Sequence, residues 1–259
     1  MIRTHTGRLL LAAAIAGFAL LHLLHAFSES LPAPGPPWPA GGSPWNGIFG
    51  LTLLALAVGL TLARWAARAA LGAAAVFFLT AGIVQVPKLL AAPRDPGPWT
   101  TAFELLALCG GALVLAGAML RERALSPRQR FTAGNLLLTG RLLYAVSLVV
   151  FAVQHFLYAR FVATLVPAWI PAHLFWAWFI GIAFCAAAAS LATGIQARLA
   201  ATLLGVMFLL WVPILHLPRA LAAARSGNEW TSLLVALAMG GCAWVLADAS
   251  GEARAAPAG

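Results

Sequence analysis

Eight runs of about 20 apolar residues, each long enough as a helix to cross the hydrocarbon core of a bilayer, occupy most of this chain. They lie at about 9–28, 46–65, 69–90, 100–120, 141–160, 173–194, 198–217 and 230–248. In lipid, every backbone polar group must be satisfied within its own segment, so such runs fold as helices. Composition agrees with this reading. The chain is 62% hydrophobic and only 9% charged, where a soluble domain is nearer a quarter charged. The fold expected is an all-α polytopic membrane protein with eight transmembrane helices, and its first partner is the lipid bilayer. Nothing is left over for a soluble catalytic domain.

The chain also repeats itself. Thr-Gly-Arg-Leu-Leu stands at 6–10 and again at 139–143, and from there Phe18 matches Phe151 and His22 matches His155. Further on, 76–116 lies over 207–247 without a gap, with 17 identities in 41 positions. So long an ungapped match marks an internal duplication. The units are 1–128 and 129–259, each a four-helix bundle. Four spans is an even number, so the two units share one orientation and are related by a pseudo-two-fold axis along the membrane normal, as in parallel-repeat transporters. Small residues such as Gly110, Gly111, Gly240 and Gly241 permit close helix approach in lipid.

The formal charge of +9 invites a nucleic-acid reading, but no basic surface domain exists to carry such an interface. Basic residues report topology instead. With the N-terminus inside, eleven of them, including those in the 121–130 connector, fall on the cytoplasmic side, and five on the other. Both termini are therefore expected in the cytoplasm. Arg outnumbers Lys fifteen to one and Ala is abundant, which suggests a GC-rich bacterial genome and an inner (cytoplasmic) membrane. The first 30 residues have the look of a signal peptide but lack a clean cleavage site. As the counterpart of the fifth span, this segment is expected to stay as a helix. Cys109, Cys185 and Cys242 are isolated, with no Cys-x-x-Cys, so a thiol relay is not expected.

The first connector, 28–44, is rich in Pro and Gly, and its Pro36 and Trp38 match Pro167 and Trp169 in the second half. Trp at this depth suits the interfacial aromatic belt, and the prolines suit a stiff collar.

Ionisable groups inside spans are costly and are functional candidates. On the expected topology they crowd toward the extracytoplasmic side: His22 and His25, Gln85 and Lys88, Glu104, then His155, Tyr158 and Arg160, His173, and His216 and Arg219. Ile83, Gln85, Pro87 and Lys88 correspond to Ile214, His216, Pro218 and Arg219. The proline and cation of this motif have a structural account, since Pro frees a carbonyl and the cation snorkels to the headgroups. The exchange of Gln85 for His216 does not. If their helices are neighbours, His155 and His216 face one pocket. Three readings stand open there: axial ligation of a b-type haem, capture of a quinone carbonyl with proton transfer, or hydrogen bonding to helix ends. The haem reading is the weaker, because the first half offers only Gln85 opposite His22. Glu104 has Val235 as its counterpart, so the scaffold does not need it; a pairing with Lys88 or Arg94 is expected, with a proton-handling group as the alternative.

The second half carries a resemblance. His155-Phe-Leu-Tyr-Ala-Arg-Phe161, then Val166-Pro-Ala-Trp-Ile-Pro171, a Gly181-led helix, and Ala197-Arg198 before the next span resemble the DoxX/DoxD-like family of small membrane proteins. The likeness covers about 141–248, and 8–118 as a diverged copy. It implies a four-span unit associated with quinone-linked sulfur oxidation or thiol redox homeostasis, with His155 and the 167–171 turn as matching positions. Many relatives carry a Glu after the glycine, where Ile182, Ala183 and Phe184 stand here. Relatives are usually single units, which would dimerise, and the fusion fixes such a pair. A further homodimer is left open. The function expected is a quinone-interacting or redox-accessory subunit working with a partner oxidoreductase. His155, His216, Arg219, Arg160, Tyr158 and Trp169 would form its site, with His22 and Gln85 in the first-half counterpart. The alternative is a non-enzymatic carrier or a structural assembly protein.

Overall fold

The computed structural model describes residues 5–28, 34–35 and 43–255. Eight helices in it are long and apolar enough to cross a membrane, and the described residues contain no strand. In chain order the spans are His5–Phe27, Pro44–Thr61, Ala66–Ala91, Pro96–Glu122, Pro127–Leu157, His173–Thr193, Ala197–Ala222 and Gly227–Gly251. A short helix, Ala159–Leu165, links spans 5 and 6. The chain is thus built as an integral membrane protein. Large side chains such as Leu51, Phe78, Val149, Phe179, Ile182 and Leu203 stand exposed along the outer faces of the spans, where lipid would cover them. Pro36 and Trp38, read as part of the collar, lie outside the described residues.

Span 5 differs most from its expected bounds, starting at Pro127 rather than near 141. Its start is set by local hydrogen bonding, not hydrophobicity. Ser126 accepts from the Gln129 amide while the Gln129 side chain accepts from the Ser126 amide, a reciprocal capping box, and Pro127 fits the first helical turn. The exposed Arg128 and Arg130 thereby extend the helix beyond its apolar run.

Spans 3 and 7 each contain a π-helical turn, Ala81–Gln85 and Val212–His216, at repeat-equivalent places. Such turns insert an extra residue into the helix and often sit at functional sites. A second duplicated detail follows each of them. The Trp99 indole donates to the Pro93 carbonyl at 2.9 Å, and the Trp230 indole to the Ala224 carbonyl at 3.0 Å. Both bonds tie the loop to the start of the next span.

Neither four-helix unit closes on itself. Consecutive spans pack side by side, but within neither unit do the first and fourth helices pack along one another. Span 1 packs instead along span 8, and span 5 along span 4. The result is a ring of eight helices, crossed by contact between spans 4 and 8, the two with the most enclosed surfaces. Glycines explain the exchange. A Cβ on Gly7 would meet the Gly241 carbonyl oxygen at 2.7 Å, and one on Gly110 would meet the Gly140 carbonyl oxygen at 2.5 Å. Gly7 and Gly140 are repeat mates, as are Gly110 and Gly241, so the two crossings are copies of one contact. Without a hydrophobic drive between helices in lipid, close backbone approach of this kind is what holds them.

The spans alternate in direction. The connectors 92–95, 158–172 and 223–226 therefore share the face of the ring opposite the start of span 1 and the end of span 8. That face is called distal below, and the other proximal.

Candidate functional site

A cavity of about 570 Å³ opens among spans 4, 5, 6, 7 and 8 toward the distal face, a size within the range of small-molecule sites. Its walls are largely aromatic, with Phe151, Phe161, Phe184, Phe208 and Trp211 lining it. Glu104, Gln154, His155, Tyr158 and His216 supply polar groups. His155 and His216 thus line one cavity, as their helix ends suggested.

The polar groups differ in how far they are already used. Gln154 is fully engaged, donating to the Pro96 carbonyl at 3.1 Å and accepting from the Thr100 hydroxyl at 3.0 Å. It fastens span 5 to the start of span 4. His155 Nδ1 lies 2.8 Å from the Phe151 carbonyl oxygen. A carbonyl can only accept, so Nδ1 carries the proton and Nε2 of the neutral ring is an acceptor. Phe184 meets the same ring edge to face at 5.2 Å between centroids, which fixes its orientation. His216, released by the π-helical turn, has its Nδ1 buried without a hydrogen-bond partner, an uncommon state for a buried polar atom.

Glu104 departs from expectation. It pairs with neither Lys88 nor Arg94. Among the described residues Glu104 makes no ion pair and no hydrogen bond. It lines the cavity because span 4 packs against span 5 of the other unit. No Lys or Arg lines the cavity, so the carboxyl group has no cation beside it. Its repeat mate Val235 lines the same cavity from span 8.

The remaining expected site residues lie elsewhere. Arg219 is held by Glu229 through two bonds, Nε to Oε2 at 3.0 Å and Nη2 to Oε1 at 2.9 Å. That pair clamps the end of span 7 to the start of span 8. The Arg219 side chain is 40% exposed, so Arg219→Ala is expected to cost only about 1 kcal/mol of stability. Thermal unfolding in detergent checks this, and ligand retention in the cavity is expected to stay unchanged. Arg160 and Trp169 are exposed and do not line the cavity.

His22 and Gln85 belong to the equivalent region of the first half, where their side chains are already engaged. His22 Nδ1 bonds Asn46 Oδ1 at 2.9 Å and its ring meets Phe49 at 4.9 Å. Gln85 Oε1 accepts from Thr101 at 2.9 Å. His22, Asn46 and Gln85 are all buried. The two units therefore use equivalent positions differently: His22 and Gln85 are hydrogen-bonded within the first, while His155 and His216 line a cavity in the second. The sequence signal for this asymmetry was present in the two exchanges, Gln85 for His216 and Glu104 for Val235. The aromatic wall residues Phe184, Phe208 and Trp211 were not singled out, because aromatics within apolar spans read as packing.

Comparisons with family models, with curated proteins and with solved structures return no match for the chain.

Proposed function

We propose that this membrane protein holds the headgroup of a quinol-class lipid in the distal cavity, as a redox-accessory subunit to a partner oxidoreductase. One observation carries the reading: Glu104 from the first unit meets His155, Tyr158 and His216 from the second in a single aromatic-walled chamber. Flat aromatic faces suit a planar ring. The Nε2 of His155 and the Glu104 carboxyl group are acceptors suited to the two hydroxyls of a quinol, and a histidine can pass their protons on. These side chains move protons and not electrons, so oxidation of the bound quinol falls to the partner. The likeness of 141–248 to DoxX/DoxD-like proteins supports the same reading, and with it a bacterial inner membrane. It does so without the family's glutamate after Gly181. In this reading Glu104 supplies a carboxyl group from the other unit instead.

The test uses the full chain purified in mild detergent. Extraction is expected to recover quinone in proportion to protein, with no haem band in the reduced-minus-oxidised spectrum. His155→Ala and His216→Ala are each expected to lose the quinone while eluting as the parent protein does. Haem in proportion to protein would replace the proposal with axial ligation by the two histidines. A folded sample retaining neither would favour the carrier reading.

A further inference from the structure

In the repeated Thr-Gly-Arg-Leu-Leu motif the glycine makes the helix crossing. The arginine has a different environment in each half. Arg8 is buried in span 1 and its Nη2 bonds His5 Nδ1 at 3.0 Å. Arg141, its mate in span 5, has no such neighbour. It lines a pocket of about 180 Å³ toward the proximal ends of spans 4, 5 and 8. Arg121, at the end of span 4, lines the same pocket. Among the described residues neither guanidinium makes a hydrogen bond or an ion pair, and Arg141 Nε is buried without a partner. Among the described residues no carboxylate lines the pocket. The Ser250 hydroxyl beside them gives its proton to the Leu246 carbonyl at 2.7 Å, so it offers only lone pairs.

An arginine with its Nε buried and unpartnered, and a second, exposed arginine lining the same small chamber, make a setting that favours an anion. Each presents a fork of N–H donors that matches the oxygens of a phosphate group. We propose that this pocket binds a phosphate-type oxyanion, with Arg141 as its inner anchor and Arg121 as its outer one. Its depth, near the proximal ends of three spans, suits the phosphate of a membrane lipid, and basic pockets between spans are a recurrent setting for anionic headgroups. A free phosphate would be recognised by the same groups. Gly134 also lines the pocket, and a Cβ there would meet nothing within 4 Å, so the chamber has an unfilled side. No residue is shared with the distal cavity, and the site stands or falls independently of the quinol reading.

The experiment titrates the full-length protein in neutral detergent with phosphatidylglycerol, with diacylglycerol, or with inorganic phosphate alone. Thermal stability and lipid retained in native mass spectra are recorded. The expected result is a saturable rise in melting temperature and a retained lipid with phosphatidylglycerol but not with diacylglycerol. A comparable rise with inorganic phosphate would uphold the oxyanion site and make a soluble phosphate its source. Arg141→Gln and Arg121→Gln are each expected to weaken binding about tenfold or more, the size of one lost charged hydrogen bond. Arg121 is exposed at a helix end, so its variant tests the site even if Arg141→Gln fails to fold. Quinone retention in Arg121→Gln is expected to match the parent. The proposal is overturned if folded parent protein gives no saturable response to either phosphate source, or if Arg121→Gln, and Arg141→Gln where it folds, bind as tightly as the parent.

Discussion

Gly140→Leu is expected to separate span 5 from span 4 and leave a chain that no longer holds the closed ring. The Gly110 and Gly140 carbonyls lie against each other's helices, and a new side chain at Gly140 would meet the Gly110 carbonyl oxygen and, at 2.9 Å, the Val114 amide nitrogen. These are backbone atoms, which cannot turn aside as a side chain can. Overpacking a core costs about 1–3 kcal/mol where side chains can adjust. Against backbone the loss is expected at or above the top of that range. Gly7→Leu should act alike at the span 1–span 8 crossing, where the Gly241 carbonyl oxygen and the Val245 amide nitrogen lie at 2.7 and 2.8 Å. Gly82→Ala is the control, since a Cβ there meets nothing within 4 Å, and its effect should stay within about 0.5 kcal/mol. Cys109 and Cys242 are buried near the centre of the ring. Thiol labelling during heating, in a Cys185→Ala background, reads the unfolding of each variant. A Gly140→Leu protein melting with the parent would mean the crossing does not hold the ring.

Glu104→Leu is expected to do two opposite things at once, raising stability and removing ligand retention. The Glu104 carboxyl group lines an apolar chamber with no ion pair or hydrogen bond among the described residues. Polar groups buried without compensation cost about 1–3 kcal/mol by mutational measurement, and Glu104 is only partly buried, so replacement by a side chain of similar volume should gain about 1 kcal/mol. Val235, at the equivalent position of the other unit, already lines the same chamber as an apolar residue. A carboxyl group kept at such a cost is characteristic of function, where stability is given up for activity. Quinone extraction from Glu104→Leu should therefore recover far less than from the parent, while its melting temperature rises. Unchanged retention would remove Glu104 from the binding site. A lower melting temperature would mean that the carboxyl group serves the scaffold.

The spans were legible because lipid makes hydrophobic length decisive. A run long enough to cross the bilayer has one stable form. The start of span 5 was less so, since the polar stretch between Pro127 and the apolar run is helical through its capping box and not through burial. At the site, the pairing of His155 with His216 was readable from their matching helix ends. Arg219 was misleading in isolation. Its partner Glu229 stands ten positions on, across a loop, and nothing in a hydropathy pattern says which carboxylate a cation will meet.

From the residues alone came the helical class, the number of spans, the duplication, and the exchanges Gln85 for His216 and Glu104 for Val235. Each rests on local chemistry or on comparing the chain with itself. Only the tertiary structure decided that the two units exchange their first helices. That exchange depends on the Gly7–Gly241 and Gly110–Gly140 crossings, and a glycine within a span does not announce which partner it will meet. The crossings seat span 4 of the first unit against span 5 of the second. They thereby bring Glu104 into the cavity lined by the histidines of the other half.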